Sequence, residues 1–137
     1  MTQEERMLLI KDLSARLPYA VTVEHTSGFR GTLHDITVHH MYDNNDNVYD
    51  AICYTDFFGD NDDIYIEFFK PYLFPLSSMT KEQKKEMKSF DPFETEETKT
   101  LGQWAVHLVD FYNKYHFDYR GLIEKGLAID ATDKNIY

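Results

Sequence analysis

Carboxylates are the commonest side chains here that could do chemistry. Between Arg30 and Lys70 the sequence holds Asp35, Asp43, Asp46, Asp50, Asp56, Asp60, Asp62, Asp63 and Glu67, and no lysine or arginine. Acidic loops are the raw material of calcium sites. Asp43, Asn45 and Asn47 match the first three ligand positions of an EF-hand loop, but Val48 replaces the required glycine and Tyr54 the bidentate glutamate. Asp56 and Glu67 repeat the outer spacing with Phe58 inside it. For transition metals, His39 and His40 are adjacent, and neighbours on a strand point to opposite faces. His107 and Asp110 share a helix turn but supply only two ligands. No metal and no cofactor is expected. The one thiol, Cys53, sits in an apolar strand, where a free cysteine packs as a small hydrophobe. Ser77-Ser78 lacks a G-x-S-x-G elbow, and the six glycines fall singly, in no phosphate loop or dinucleotide fingerprint. No catalytic residue is assigned.

Two patterns point to binding instead. Tyr42, Tyr49, Tyr54, Phe57, Phe58 and Phe74, beside Asp56 and Asp60, combine aromatic anchors with a polar rim, the composition of a protein interface. Lys81, Lys84, Lys85 and Lys88 recur at i, i+3, i+4 and i+7, a basic stripe on an acidic chain. Its like-charge i, i+4 pairs each cost a few tenths of a kcal/mol, roughly, unless something compensates.

These residues need elements to hold them. Thr2 with Glu5 forms a capping box, and Leu9, Leu13 and Leu17 come after it at helical spacing until Pro18 stops the helix. Alternation predicts strands over residues 19–26, 29–40, 48–55 and 63–69, with a bulge between Leu33 and Ile36. Residues 43–47 and 59–62 are turn-formers. Residues 70–76 form an apolar connector with two prolines. Thr80 with Gln83 caps a helix to about Ser89. The strongest helix is expected over 96–115, with Leu101, Trp104, Leu108, Phe111 and Tyr115 on one arc and Trp104 buried on the sheet. Asp118 is expected to cap a last short helix to Lys125, stopped by Gly126, before a fraying tail. The expected fold is α+β: an N-terminal helix, an antiparallel β-meander of three to five strands that can curl into a barrel-like form, and a long C-terminal helix packed on the sheet.

At 137 residues the chain suits a single domain. One cysteine excludes an internal disulfide, no apolar run suits a membrane span or a signal peptide, and a cytoplasmic location is expected.

Three segments carry a resemblance: Lys11-Asp12-Leu13 with Arg16-Leu17-Pro18-Tyr19; Lys70-Pro71-Tyr72-Leu73 through Pro75-Leu76-Ser77-Ser78-Met79-Thr80; and His116-Phe117-Asp118-Tyr119-Arg120-Gly121-Leu122-Ile123-Glu124-Lys125-Gly126-Leu127. Together they resemble a family of small uncharacterised proteins found in gut anaerobic bacteria, their phages and mobile elements. The resemblance implies a self-contained domain carried by mobile DNA and brings no site residue with it. The expected function class is a non-enzymatic module that binds another protein, with self-association also allowed. The alternatives are an anti-defence inhibitor with an acidic, nucleic-acid-mimicking face, and a small-molecule or nucleotide binder or enzyme with a pocket between sheet and helix. The net charge of −10 favours a cationic partner and repels phosphates. Contacts from the four lysines give a log–log salt slope no steeper than about −3.6. Fluorescence anisotropy at about 0.15 M salt should therefore show no sub-micromolar binding of free DNA or RNA.

Overall fold

The computed structural model describes residues 1–43, 46–56, 64–91 and 100–137, without the side chains of 41–43 and 46–48. Helix α1, Gln3–Arg16, starts at the expected capping box: the Thr2 hydroxyl accepts from the Glu5 amide and the Glu5 carboxylate from the Thr2 amide. It ends in a 3-10 turn, Leu17–Tyr19, where Pro18 blocks continuation. Ala20, at φ 54°, then turns the chain into β1, Thr22–His25. Gly28, at φ 91°, supplies the left-handed corner leading to β2, Arg30–Asp43. Strand β3, Asp46–Thr55, pairs antiparallel with β2, and the register slips between Leu33 and Asp35, where the break in alternation predicts a bulge. The remaining elements are β4, Phe69–Leu73; α2, Lys81–Lys88; α3, Leu101–Lys114; and β5, Ile129–Asp130.

The fold is α+β, with one open five-stranded sheet in the order β3-β2-β1-β4-β5. The sheet does not close, which corrects the barrel-like expectation. The first three strands form an antiparallel meander. Strand β4 pairs antiparallel on the other side of β1, and β5 pairs parallel with β4, so the sheet is mixed. Helix α1 covers its inner face. Leu9, Ile10 and Leu13 are buried with Val21, Val23, Leu33, Ala51 and Cys53 in one core. Each large aliphatic contributes about 1.5–3 kcal/mol by leaving water.

Several expectations are corrected. Over the described residues 64–68 of the expected strand, the alternation of Ile64, Ile66 and Phe68 does not mark a strand. Ile66–Phe68 is a 3-10 turn that drops Ile66 into the core. The connector expected over 70–76 supplies β4. Pro71 is tolerated there because β5 reaches only Tyr72 and Leu73. Helix α3 begins at Leu101, capped by Thr100 and Gln103, while 96–99 lie outside the described residues. It packs its aromatic residues on α2 and on the 115–119 segment, not across the sheet, and Trp104 is half-buried. Asp118 does act as a cap, accepting from the Leu122 and Ile123 amides at 2.8 and 2.9 Å, but residues 122–126 form turns in place of the expected helix. The tail does not fray. The Tyr137 hydroxyl accepts from the Thr22 amide and donates to the Tyr72 carbonyl.

A buried ion pair ties the end of α1 to the C-terminal segment. Arg16 and Asp12 are both fully enclosed. Arg16 donates through Nε and Nη2 to the two Asp12 oxygens, at 2.7 and 3.0 Å, and through Nη2 to the Phe117 carbonyl at 2.7 Å. Arg120 Nε approaches Asp12 Oδ1 at 3.5 Å, and the Tyr119 ring lies against both guanidiniums. Removing one partner leaves the other charge buried and unpaired. Asp12→Ala should cost about 3–5 kcal/mol in urea unfolding, and Asp12→Leu with Arg16→Met together should cost less than Asp12→Ala alone. A loss below about 1 kcal/mol for Asp12→Ala would remove the pair from this role.

Candidate functional site

The aromatic residues singled out from the sequence do not share a surface. Alternation along β3 puts Tyr49 on the core-facing side with Ala51 and Cys53, where it packs against the core and stacks on His40 at 4.5 Å. Tyr54 lies on the opposite side and is exposed. Phe74 is half-buried, 5.9 Å from the Tyr137 ring, with its backbone bonded to His116 and Asp118. The Tyr42 side chain and Phe57, Phe58 and Asp60 lie outside the described residues.

Three described acids on and beside the β2–β3 hairpin each give one oxygen to the backbone. Asp50 Oδ1 accepts from the Ala51 amide at 2.8 Å, Asp35 Oδ1 from the Ile36 amide at 2.8 Å, and Asp56 Oδ1 from the Thr32 amide at 2.7 Å. The outer edge of β3 is capped group by group. Gln3 Nε2 donates to the Tyr49 carbonyl, Asp50 takes the Ala51 amide, and the Cys53 amide donates to the Ile64 carbonyl. An edge treated this way cannot accept another strand along 49–53.

The helices at the other end of the molecule are left open. On α2, Gln83, Glu86 and Met87 turn inward and are half-buried. Glu86 binds Lys114 Nζ at 3.1 Å and the Tyr115 hydroxyl at 2.5 Å. Those contacts hold its carboxyl below the usual range. Lys81, Lys84, Lys85 and Lys88 face away from α3, exposed as the spacing predicts, and make no ion pair among the described residues. On α3 the polar residues Gln103, His107, Asp110 and Lys114 form one narrow strip. Apart from Asn113, the remaining arc is apolar and spans about 220° at 100° per residue. Its inner part, Trp104, Leu108, Phe111 and Tyr112, packs inward. Its outer part is open over the first turns, where Val106 is 61% and Val109 38% exposed beside Gly102 and Ala105, and closes at the buried Asn113; Leu101, 61% exposed, lies in the first turn on the inner arc. Helical spacing alone puts Leu101 on the buried arc and leaves Val106 and Val109 unassigned. The signal available was the width of the arc, since a helix apolar nearly all round is normally covered.

Among the described residues, no group of histidine, cysteine and carboxylate side chains comes together to hold a metal, and no helix is long and apolar enough to cross a membrane. Cys53 is buried, and burial pushes its thiol up to about 12, too high for a nucleophile near neutral pH. Comparison with protein-family models, curated proteins and solved structures finds no match.

The most perturbed histidine lies beside the buried ion pair. His116 is held at φ 59°, stacked at 3.7 Å on the Tyr137 ring, with Nδ1 buried and unpartnered. Burial, then the nearby Arg16 charge, lowers its pKa to about 4. The unfolded chain takes up this proton below its ordinary value of 6.5, whereas the folded protein resists until about 4. This contribution to stability is therefore complete above about pH 6.5 and lost as pH falls, by about 3 kcal/mol in all. His116→Asn keeps a residue that accepts the left-handed backbone. Urea unfolding at pH 7 and pH 4.5 should show a smaller acid loss in this variant than in the parent. Equal losses would clear His116 of the effect.

Proposed function

We propose that this protein is a non-enzymatic binding module that docks a basic protein partner on the outer face of α3. The observation that carries this reading is the exposure of Val106 and Val109, one turn apart on one helix face, with Leu101 exposed at the helix start. Val106 and Val109, at i and i+3, have the spacing of helix-in-groove or helix-on-helix anchors, and Gly102 and Ala105, one turn earlier on the same face, allow close approach. The capped edge of β3 argues against recognition by strand addition. The chain's charge of −10 favours a cationic partner, whose approach it would accelerate. The tethering of Asp35, Asp50 and Asp56 to backbone amides weighs against a phosphate-like array, and so against the nucleic-acid mimic. The resemblance of the three segments supports an accessory role in a phage or mobile element.

A photo-crosslinking residue in place of Val106, used in living cells, should capture one discrete partner with an excess of Lys and Arg at the captured surface. Leu101→Glu with Val109→Glu should abolish capture while unfolding free energy stays within about 0.5 kcal/mol, as for substitutions on an open surface. Capture that persists in the double variant would overturn the reading.

A further inference from the structure

We infer that the groove beside Lys70, between the β1–β4 pair and Ile129, is a binding site for a small organic carboxylate. The site goes beyond the helix surface and shares no residue with it. Strand β5 pairs only with Tyr72 and Leu73 and stops short of Lys70, so the flank of β4 opens there into a depression of about 300 Å³. That is the small end of ligand sites, about 300–1,000 Å³. Phe68 and Ile129 supply apolar walls, and the His25 ring lies 6.1 Å from that of Phe68.

The charges around the groove do not balance. Glu67 is taken by Arg6 at 3.1 Å. Glu24 is taken by Arg30 at 3.1 Å and by the Tyr72 hydroxyl. Lys70 sits opposite Glu24 in the strand register but makes no ion pair among the described residues. Both acids of the lining are thus neutralised from outside the groove, and Lys70 remains as its surplus charge. Lys134, which acts weakly on Glu24, also acts on Asp130 beside Ile129 and adds no surplus. On a chain this acidic, a positive groove with apolar walls selects a ligand of the opposite kind: a flat or compact apolar body carrying one carboxylate. Thr26 on the rim adds a hydroxyl.

Benzoate is a suitable probe, with benzamide as its uncharged counterpart and benzamidine as its cationic one. In amide NMR titrations of the full chain, benzoate should shift the signals of residues 24–26, 68–70 and 129 with a millimolar Kd. The two other probes should bind at least about tenfold more weakly, the worth of one charged contact. Lys70 is exposed, so Lys70→Met should fold normally and weaken benzoate at least about tenfold, whereas Lys70→Arg should stay within about threefold. The inference is overturned if benzoate causes no shifts in the groove at about 10 mM, if benzamide binds equally well, or if Lys70→Met binds like the parent. Leu101→Glu with Val109→Glu should leave benzoate binding unchanged, so failure of the helix surface and failure of the groove are told apart.

Discussion

The rest of the structure depends on the enclosure of Arg16. A guanidinium with no solvent exposure is tolerated only when its charge is met, and here Nε and Nη2 are satisfied while Nη1 is left without a partner. Asp12, one helical turn earlier, meets the charge, and the carbonyl of Phe117, 101 residues along the chain, meets a further donor. The carbonyl is what makes the pair an architectural constraint. A pair confined to α1 would stabilise only that helix. A donor that must find one backbone oxygen fixes where the chain passes after α3. Phe117 then bridges Phe74 at the end of β4, Tyr119 settles between two arginines, and its hydroxyl reaches Asn113 on α3. An apolar pair could hold as much surface together but would not specify the register.

This arrangement explains which parts of the fold were legible in the sequence. The capping boxes at Thr2 and Thr80 are local, and both are present. The bulge near Leu33 arises from a break in alternation, which is also local. The burial of Arg16 was not legible, because charged residues usually lie outside and its enclosure is decided by a partner far along the chain. Residues 63–69 alternate as a strand would, but a 3-10 turn also brings Ile66 inward, and periodicity over so few residues does not separate the two. Pro71 argued against a central strand, and only the shortness of β5 makes it acceptable there.

The candidate site was legible to a different degree. Residue type marked the aromatic residues as anchors for a partner, and Tyr49 and Phe74 make contacts within the fold. The exposed apolar residues are aliphatic, on a helix whose inner arc was read as core while Val106 and Val109 were left unassigned. The deciding fact is that α3 packs against α1, α2 and the 115–119 segment. Had it lain across the sheet, as its length and pattern suggested, far more of that arc would be covered.

The acidity of the chain gains a more specific meaning from the same contacts. Four of the 24 acidic residues lie on the hairpin, a segment with an edge open to edge-to-edge aggregation. There Asp35, Asp50 and Asp56 bind backbone amides, and the chain's net charge opposes the approach of a second copy. Each carboxylate so placed blocks a hydrogen bond that another strand could make. Recognition is thereby moved away from the sheet edge. It falls to surfaces where the backbone is already satisfied and side chains alone discriminate: the aliphatic face of α3, and a groove in which one lysine remains after the acids have been paired. The hairpin carboxylates thus limit what the protein can bind by closing one mode of contact, and the unmatched groups elsewhere determine which modes remain.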